Sequence, residues 1–462
     1  MTTSWNRRSI IKTIGIGTAM AKPVFGSDAK PPLPMPIKAA PRRTPGEPVT
    51  CVVIGAGNRG NVYASYAENF PDEMKIVGVA EPIAHRRENM AKTHNIPEKY
   101  QWTTWDHAFE IPKFADALII TTPDHLHYAP AMKGMELGYD LLLEKAIAQT
   151  WDECRDILHQ SKKYGNIVAV CHVLRYTSYF RQMKAIIDSG ALGEVVSVQH
   201  LEPVNNIHMS HSFVRGNWRN SKESNSMILT KSCHDTDILR WLVGKPCKRV
   251  SSFGSLKFFR EENAPAGSTA RCTEGCKAEP TCNYSAMRIY LEHKAWTGHL
   301  AIPDTKEETI LNALKTGPYG RCVFRCDNDV VDHQVMIMNF EDDITASFNM
   351  EAHTSYGGRR TRIFGTKGDI AGDEQILTFT KFLDGNQVYV QEKWNVSMGA
   401  GIDSGHGGGD FGLAHDFAQA ISRQDESLLT STIEASMESH LMGFMAEESR
   451  LNGGKSMEVD LG

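Results

Sequence analysis

Apolar and polar positions follow two rhythms along this chain. Residues 49–54 (Val-Thr-Cys-Val-Val-Ile) form a short β-branched run, followed by a glycine-rich turn and a helix-like stretch reaching Phe70. Further apolar runs lie at 74–80, 116–121, 139–143 and 166–171, with helical stretches at 128–138 and 150–164. Strands alternating with helices predict an α/β fold with a parallel, doubly wound sheet. From Val195 onward the rhythm changes. Alternating or β-branched runs at 195–202, 249–259, 334–340, 344–352, 361–365 and 376–382 have few helices between them. They predict a second region built on a large open sheet, one face of which must be covered.

The first 48 residues follow neither rhythm. Asn6-Arg7-Arg8-Ser9-Ile10-Ile11-Lys12 precedes a weakly apolar stretch from Thr13 to Ala21, with small residues at 19–21 and 24–26. This is the order of a bacterial export signal, and the paired arginines point to the twin-arginine route and a periplasmic or other extracytoplasmic location. Residues 27–48 hold seven prolines and read as an extended tether. The expected organisation is an export signal at 1–26, a Pro-rich linker at 27–48, a nucleotide-binding domain at 49–171 and a substrate-binding domain at 172–462 with a Cys-containing insertion at 260–330. A length of 462 residues suits two or three domains. Lys and Arg total 50 against 55 Asp and Glu, a net charge of −5. No basic excess is left to neutralise a nucleic-acid backbone, so nucleic acid is not an expected partner. No apolar run reaches the ~20 residues needed to cross a bilayer, so stable membrane insertion is not expected either.

The glycine turn after the first strand is Gly55-Ala56-Gly57-Asn58-Arg59-Gly60, and Glu81 ends the second strand, 21 residues beyond the last glycine. Strand before, helix after and acid beyond are the context a dinucleotide fingerprint requires. Gly55 permits the tight turn, Gly57 lets the backbone approach a pyrophosphate, and Gly60 allows close helix–strand packing. The helix N-terminus offers N–H donors to the phosphates. Glu81 can accept from the adenosine ribose hydroxyls and would repel a 2′-phosphate, which favours NAD. Arg86 and Arg87 nearby keep NADP as the less favoured alternative. Ligands of such sheets bind outside the carboxyl ends of the strands. Thr122-Pro123-Asp124-His125-Leu126-His127, Glu144-Lys145 and His172 all fall there. Thr122, Pro123, His125, His127, Glu144, Lys145 and His172 therefore join the turn as candidate cofactor contacts.

These motifs, with the stretch from His172 to Arg175 and the later Gly190-Ala191-Leu192-Gly193-Glu194-Val195 turn, resemble the glucose–fructose oxidoreductase / inositol dehydrogenase (Gfo/Idh/MocA) family over residues 49–450. The resemblance implies a Rossmann domain followed by an α/β domain with a large, mainly antiparallel open sheet. It also implies nicotinamide-dependent oxidation or reduction of a sugar, glycoside or polyol carbon, and a homo-oligomer (dimer or tetramer) packed through the open sheet. A subset of the family resembles NAD-dependent glycosidases, which oxidise C3 transiently, eliminate, hydrate and re-reduce with no net redox. That is the alternative function here, and a binding protein that keeps the fold without turnover is a third.

The family's Glu-Lys-Pro motif reads Glu144-Lys145-Ala146 in this chain, so the proline is lost and the lysine kept. Lys145 is placed to hydrogen-bond a substrate hydroxyl and tune its proton transfer. Where many members carry Asp and His four residues apart, this chain has Thr230 and His234, with Asp237 following. His234 is the expected general base. Lys231, three residues earlier and expected on the same helical face, is the expected hydroxyl-binding cation in place of the missing carboxylate. Arg175, Trp218, Arg219, Asp237 and His406 complete the expected substrate contacts. Trp218 offers an aromatic face, with structural packing as its other reading. His406 sits in a Ser-Gly-His-Gly-Gly-Gly-Asp loop before a helix starting near Phe411, with Asp410 as its expected N-cap.

Ten cysteines are unevenly placed. Cys272, Cys276 and Cys282 lie in a polar segment, and Cys322 and Cys326 form a second close pair. A structural zinc, disulfides and free thiols are all open readings of this group. Cys51, Cys154, Cys171, Cys233 and Cys247 sit in apolar surroundings and read as inert core residues.

Overall fold

The structure is a computed structural model, and it describes residues 46–385, 387–396 and 406–462. The export-like segment, nearly all of the Pro-rich stretch, and Ser404 and Gly405 lie outside the described residues.

The first sheet contains β1 (Val49–Ile54), β2 (Met74–Ala80), β3 (Gln101–Trp102), β4 (Ala117–Ile120), β5 (Asp140–Leu143) and β6 (Val168–Val170). Their order is β3-β2-β1-β4-β5-β6, and every pairing is parallel. Period-two alternation sends Val49, Cys51 and Val53 to one core and Val52 and Ile54 to another, on opposite faces of the sheet. Helices Tyr128–Glu136 and Trp151–Tyr164 cover the second face. The latter starts at a capping box, in which Thr150 Oγ1 accepts from Glu153 N and the Glu153 carboxylate accepts from Thr150 N. The first face is covered by Asn58–Asn69 and by Gly409–Arg423, whose Leu413 and Phe417 are fully buried there. A helix near the end of the chain thus completes this core, which the contiguous stretch 49–171 does not do alone.

The second sheet holds β7 (Val195–Pro203), β8 (Cys247–Ser255), β9 (His333–Phe340), β10 (Thr345–Glu351), β11 (Arg360–Gly365), β12 (Gly368–Gly372), β13 (Ile376–Asp384), β14 (Gln387–Asn395) and β15 (Met457–Glu458). The order is β14-β13-β12-β11-β7-β10-β9-β8-β15, antiparallel except for the β7–β10 pair. Helices Cys233–Val243 and Ile433–Leu451 lie against it. The alternate residues Val335, Ile337 and Phe253 stay 39%, 54% and 57% exposed, so this chain leaves that side uncovered. Ser255 and His333 face each other across β8 and β9. The segment between them therefore leaves and re-enters the sheet at one point. It carries a small core of its own, with Ile289, Tyr290, Ile310 and Leu314 buried together. None of the described helices is long and apolar enough to cross a membrane.

Candidate active site

The glycine turn is fixed by close approach. Gly55 sits at φ +95°, and a Cβ there would lie 2.9 Å from the backbone of Thr121. A Cβ on Gly60 would lie 2.1 Å from Gly55 O. Gly57 is the N-cap of Asn58–Asn69 with no side chain capping the first turn, so N–H donors remain for an anionic group. A Cβ on Gly57 would meet only Arg86 Nη1, at 3.7 Å. The turn therefore fits a pyrophosphate. Glu81 is buried, and its carboxylate accepts from Ala56 N at 2.8 Å and Ile83 N at 2.9 Å. Each oxygen keeps a second lone pair for a ribose hydroxyl.

Arg59 turns inward. Its Nε donates to Glu144 Oε1 at 2.6 Å, and its Nη2 pairs with Asp410 Oδ1 at 2.7 Å. Tyr63 donates to the same Glu144 oxygen at 3.1 Å. Burial pushes the Glu144 carboxyl up, but Arg59 and Lys145 outweigh it and hold the group below its usual range. Asp410 is likewise raised by burial and brought down to about 2 by Arg59 and His406. The arginine and Glu144, both expected to touch cofactor, thus spend their charges inside the protein. Asp410 is not the helix cap: the helix begins at Gly409, and Gly408 takes the cap position. The first-turn carboxylate is committed to Arg59 and to His406 Nδ1, 3.1 Å away.

His127 is fully buried, with Nδ1 2.7 Å from Ala146 O and Nε2 2.9 Å from Thr122 O. It ties the Thr122 loop to the chain just after Lys145, while Pro123 and His125 are exposed beside it. The Lys145–Ala146 peptide is cis. Lys145 Nζ donates to Thr230 O at 2.6 Å. Where the resembling family places a carboxylate, this chain offers a backbone carbonyl.

His234 lies one residue inside helix Cys233–Val243, is 6% exposed, and has no hydrogen-bond partner at Nδ1. Its ring stands 6.1 Å from those of both His172 and His406. Burial pushes its imidazole well below the ordinary value of 6.5, and Lys145 and Arg359 push it further. His172 is fully buried with neither ring nitrogen hydrogen-bonded. Burial and then Arg175 hold it well below 6.5 too. These neutral imidazoles, one just after β6 and one at the start of helix Cys233–Val243, carry the unsatisfied nitrogens that a ligand would complete.

Other expected contacts are occupied elsewhere. Arg175 and Asp237 form a buried bidentate pair at 2.7 and 2.6 Å. Lys231 does not share the helix face of His234, because helix Met227–Thr230 stops before it and Cys233–Val243 starts afresh. Its Nζ instead pairs with Glu202 at 3.0 Å. Trp218 donates from Nε1 to Asp124 at 3.1 Å, so its ring is fastened to the Thr122 loop. Arg219 pairs with Asp327 and Glu223 at the surface. All ten cysteines are free thiols. Cys272, Cys276, Cys282 and Cys322 border one small cavity. Among the described residues, however, no group of three or more Cys, His, Asp or Glu is arranged to hold a metal ion. Neither zinc nor a disulfide finds support.

Sequence reasoning missed several residues. His440, on Ile433–Leu451, accepts from Ile147 N at 3.1 Å and stands 5.2 Å from His172. Arg359 links Asp235 at 2.5 Å and Glu202 at 3.0 Å behind Lys231. Glu202 was readable as an acid in an apolar strand; Arg359 and His440 carried no local signal.

Two family descriptions match the chain: "Oxidoreductase family, NAD-binding Rossmann fold" over residues 49–172 and "GFO/IDH/MocA C-terminal domain" over residues 180–371. The chain is 24% identical over 372 residues to the putative oxidoreductase YteT of Bacillus subtilis, covering 76% of this chain and 83% of that one. It is 27% identical over 208 residues to the scyllo-inositol 2-dehydrogenase (NAD(+)) of the same organism, covering 45% and 58%. It is 25% identical over 202 residues to the 2,7-anhydro-N-acetylneuraminate hydratase of Escherichia coli, covering 44% and 51%. The chain thus spans a little over half the length of these last two relatives. In fold, it superposes on levoglucosan dehydrogenase in complex with NADH and L-sorbose with a TM-score of 0.66 at 18% identity, over 90% of this chain and 99% of the other. The glycine turn and the strand-end lysine thus sit in a chain that belongs to the GFO/IDH/MocA family of NAD-binding oxidoreductases.

Proposed function

We propose that the protein oxidises a hydroxyl-bearing carbon of a sugar, glycoside or polyol, with NAD preferred to NADP. The observation that carries this is the convergence of Lys145 and the unpartnered imidazole of His234 beside a turn shaped for a dinucleotide. The residues that would hold the cofactor are the 55–60 backbone, Glu81 and the Thr122 loop. Its nicotinamide, when bound, supplies the hydride acceptor. The Lys145 ammonium, already oriented by Thr230 O, donates a hydrogen bond to the substrate hydroxyl. His234, neutral at pH 7, accepts that hydroxyl's proton. Its near-complete burial limits competition from water for the proton.

The sign of the histidine shift gives a pH expectation. His234 must be neutral to accept a proton, and its value lies well below 6.5. The acid limb of kcat/KM is therefore expected below pH 6.5, with activity flat as the pH falls through that value. A pH–rate profile with its acid limb at or above 6.5 would remove His234 from the role of base.

The hydratase relative favours a second reading, in which oxidation is transient and the net reaction cleaves a glycoside. The two separate in one assay with added NAD and a panel of hexoses, inositols and p-nitrophenyl glycosides. Net oxidation accumulates NADH absorbance; redox-assisted cleavage releases nitrophenol with no lasting change in NADH. Neither signal from any compound would count against both.

The uncovered side of the large sheet supports a homo-oligomer, to be checked by sedimentation. The paired arginines near the start support twin-arginine export, to be checked by fractionating cells and sequencing the mature N-terminus.

A further inference from the structure

The segment between β8 and β9 brings an aromatic platform to the site. Trp296, at φ +60° and half-buried, stacks against the ring of His208 with centroids 4.7 Å apart and planes tilted by 33°. His299 continues outward from it, 5.1 Å from Trp296 and exposed. His211 lies beneath, 5.1 Å from Trp296. It is itself stacked on Tyr319 at 4.4 Å and hydrogen-bonded through Nδ1 to Tyr290 OH at 2.8 Å. The floor is therefore anchored in the small core of that segment, and the rings above it are held in place.

His208 marks where the platform meets the reaction centre. Lys231, Lys145 and His406 all act on it electrostatically, as does His211 beneath. Burial first, and then Lys231, push its imidazole well below the ordinary value of 6.5. Neither of its ring nitrogens hydrogen-bonds to any described residue. At its inner end His208 stands 5.5 Å from Phe213, and Phe213 stands 6.1 Å from Trp218, which is fastened to the Thr122 loop, so the row His208–Trp296–His299 starts at the wall of the candidate active site and runs outward to exposed His299. It exceeds what one sugar ring over Lys145 would need. Aromatic faces bind the C–H surfaces of pyranose rings, and a free imidazole nitrogen suits a hydroxyl.

We propose that His208, Trp296 and His299 form a second sugar-binding subsite beside the reacting hydroxyl, so that the substrate is a glycoside whose second ring lies against Trp296 rather than a free monosaccharide. This rests on Lys145 and His234 acting on the first ring. His208 spans the junction, and the second ring extends over the indole.

The test uses the full chain loaded with NAD and two sets of probes: disaccharide glycosides of common hexoses, and the same hexoses free. Wild type is expected to bind the glycosides more tightly by titration calorimetry. Trp296→Ala is expected to lower the glycoside-to-hexose ratio of affinities about tenfold, and Trp296→Phe to restore most of it. Unchanged melting temperature and NAD affinity show that the variants fold. Wild type binding free hexoses as well as glycosides, or an unchanged ratio in Trp296→Ala, overturns the subsite. Turnover that survives Lys145→Met while the ratio still falls in Trp296→Ala would instead overturn the catalytic reading and leave the subsite standing.

Discussion

Lys145→Met is expected to lower kcat/KM by about 10³-fold, with NAD affinity close to wild type. The methionine preserves the apolar stem and removes the ammonium that meets Thr230 O. Thr230 is buried, so its carbonyl loses this partner and a drop of a few degrees in melting temperature accompanies the change, far less than a loss of about 10³-fold in activity would need if it came from unfolding. The loss would therefore fall on proton transfer rather than on folding. It should appear in kcat more than in KM, since the ammonium stabilises the developing alkoxide more than the neutral hydroxyl. Steady-state kinetics alongside NAD titration separates the two. A tenfold or smaller loss would place the essential cation elsewhere.

Arg59→Met is expected to act on the fold instead. The guanidinium serves Glu144 and Asp410 together, and both carboxylates are buried. Removing one partner from a buried ion pair leaves uncompensated charge and costs about 3–5 kcal/mol. Urea unfolding should report that loss, and it should shrink at low pH as the two carboxyls protonate. If Arg59 acted chiefly as a phosphate contact, the variant would keep its stability in urea and lose only NAD affinity. The double variant Arg59→Met/Asp410→Asn is expected to recover part of the stability, since it leaves one unpaired carboxylate rather than two.

The contrast between these residues shows what the chain discloses about itself. The glycine turn and Lys145 were legible because their context is local: a strand precedes each, and the ends of neighbouring strands collect in one crevice. Arg59 sits within the same turn and was read as part of it. Its partners stand 85 and 351 residues further along, and no spacing rule reaches that far. Lys231 was misplaced for a different reason. Nothing at Lys231-Ser232 announces a helix break, since neither glycine nor proline occurs there. Arg175 and Asp237 have the polarity of a site and the burial of a core, and only coordinates show that they neutralise each other. Among the strands, β12 hides behind two glycines and β14 behind a polar composition. Both lie toward the far edge of the large sheet, where a strand can form through its neighbour's ladder with little burial of its own.

The meeting of Ser255 and His333 across β8 and β9 has an evolutionary meaning. A hairpin loop can lengthen at a cost that grows only logarithmically with its size. The segment enters and leaves the sheet at a single rung of the ladder, so a replacement that kept the packing of Phe259, Tyr284 and Val323 on the main core would leave the strand register untouched. Substrate range in this lineage could therefore diversify by exchange of that segment, while the glycine turn and Lys145 stay fixed on the other sheet and His234 on its own helix.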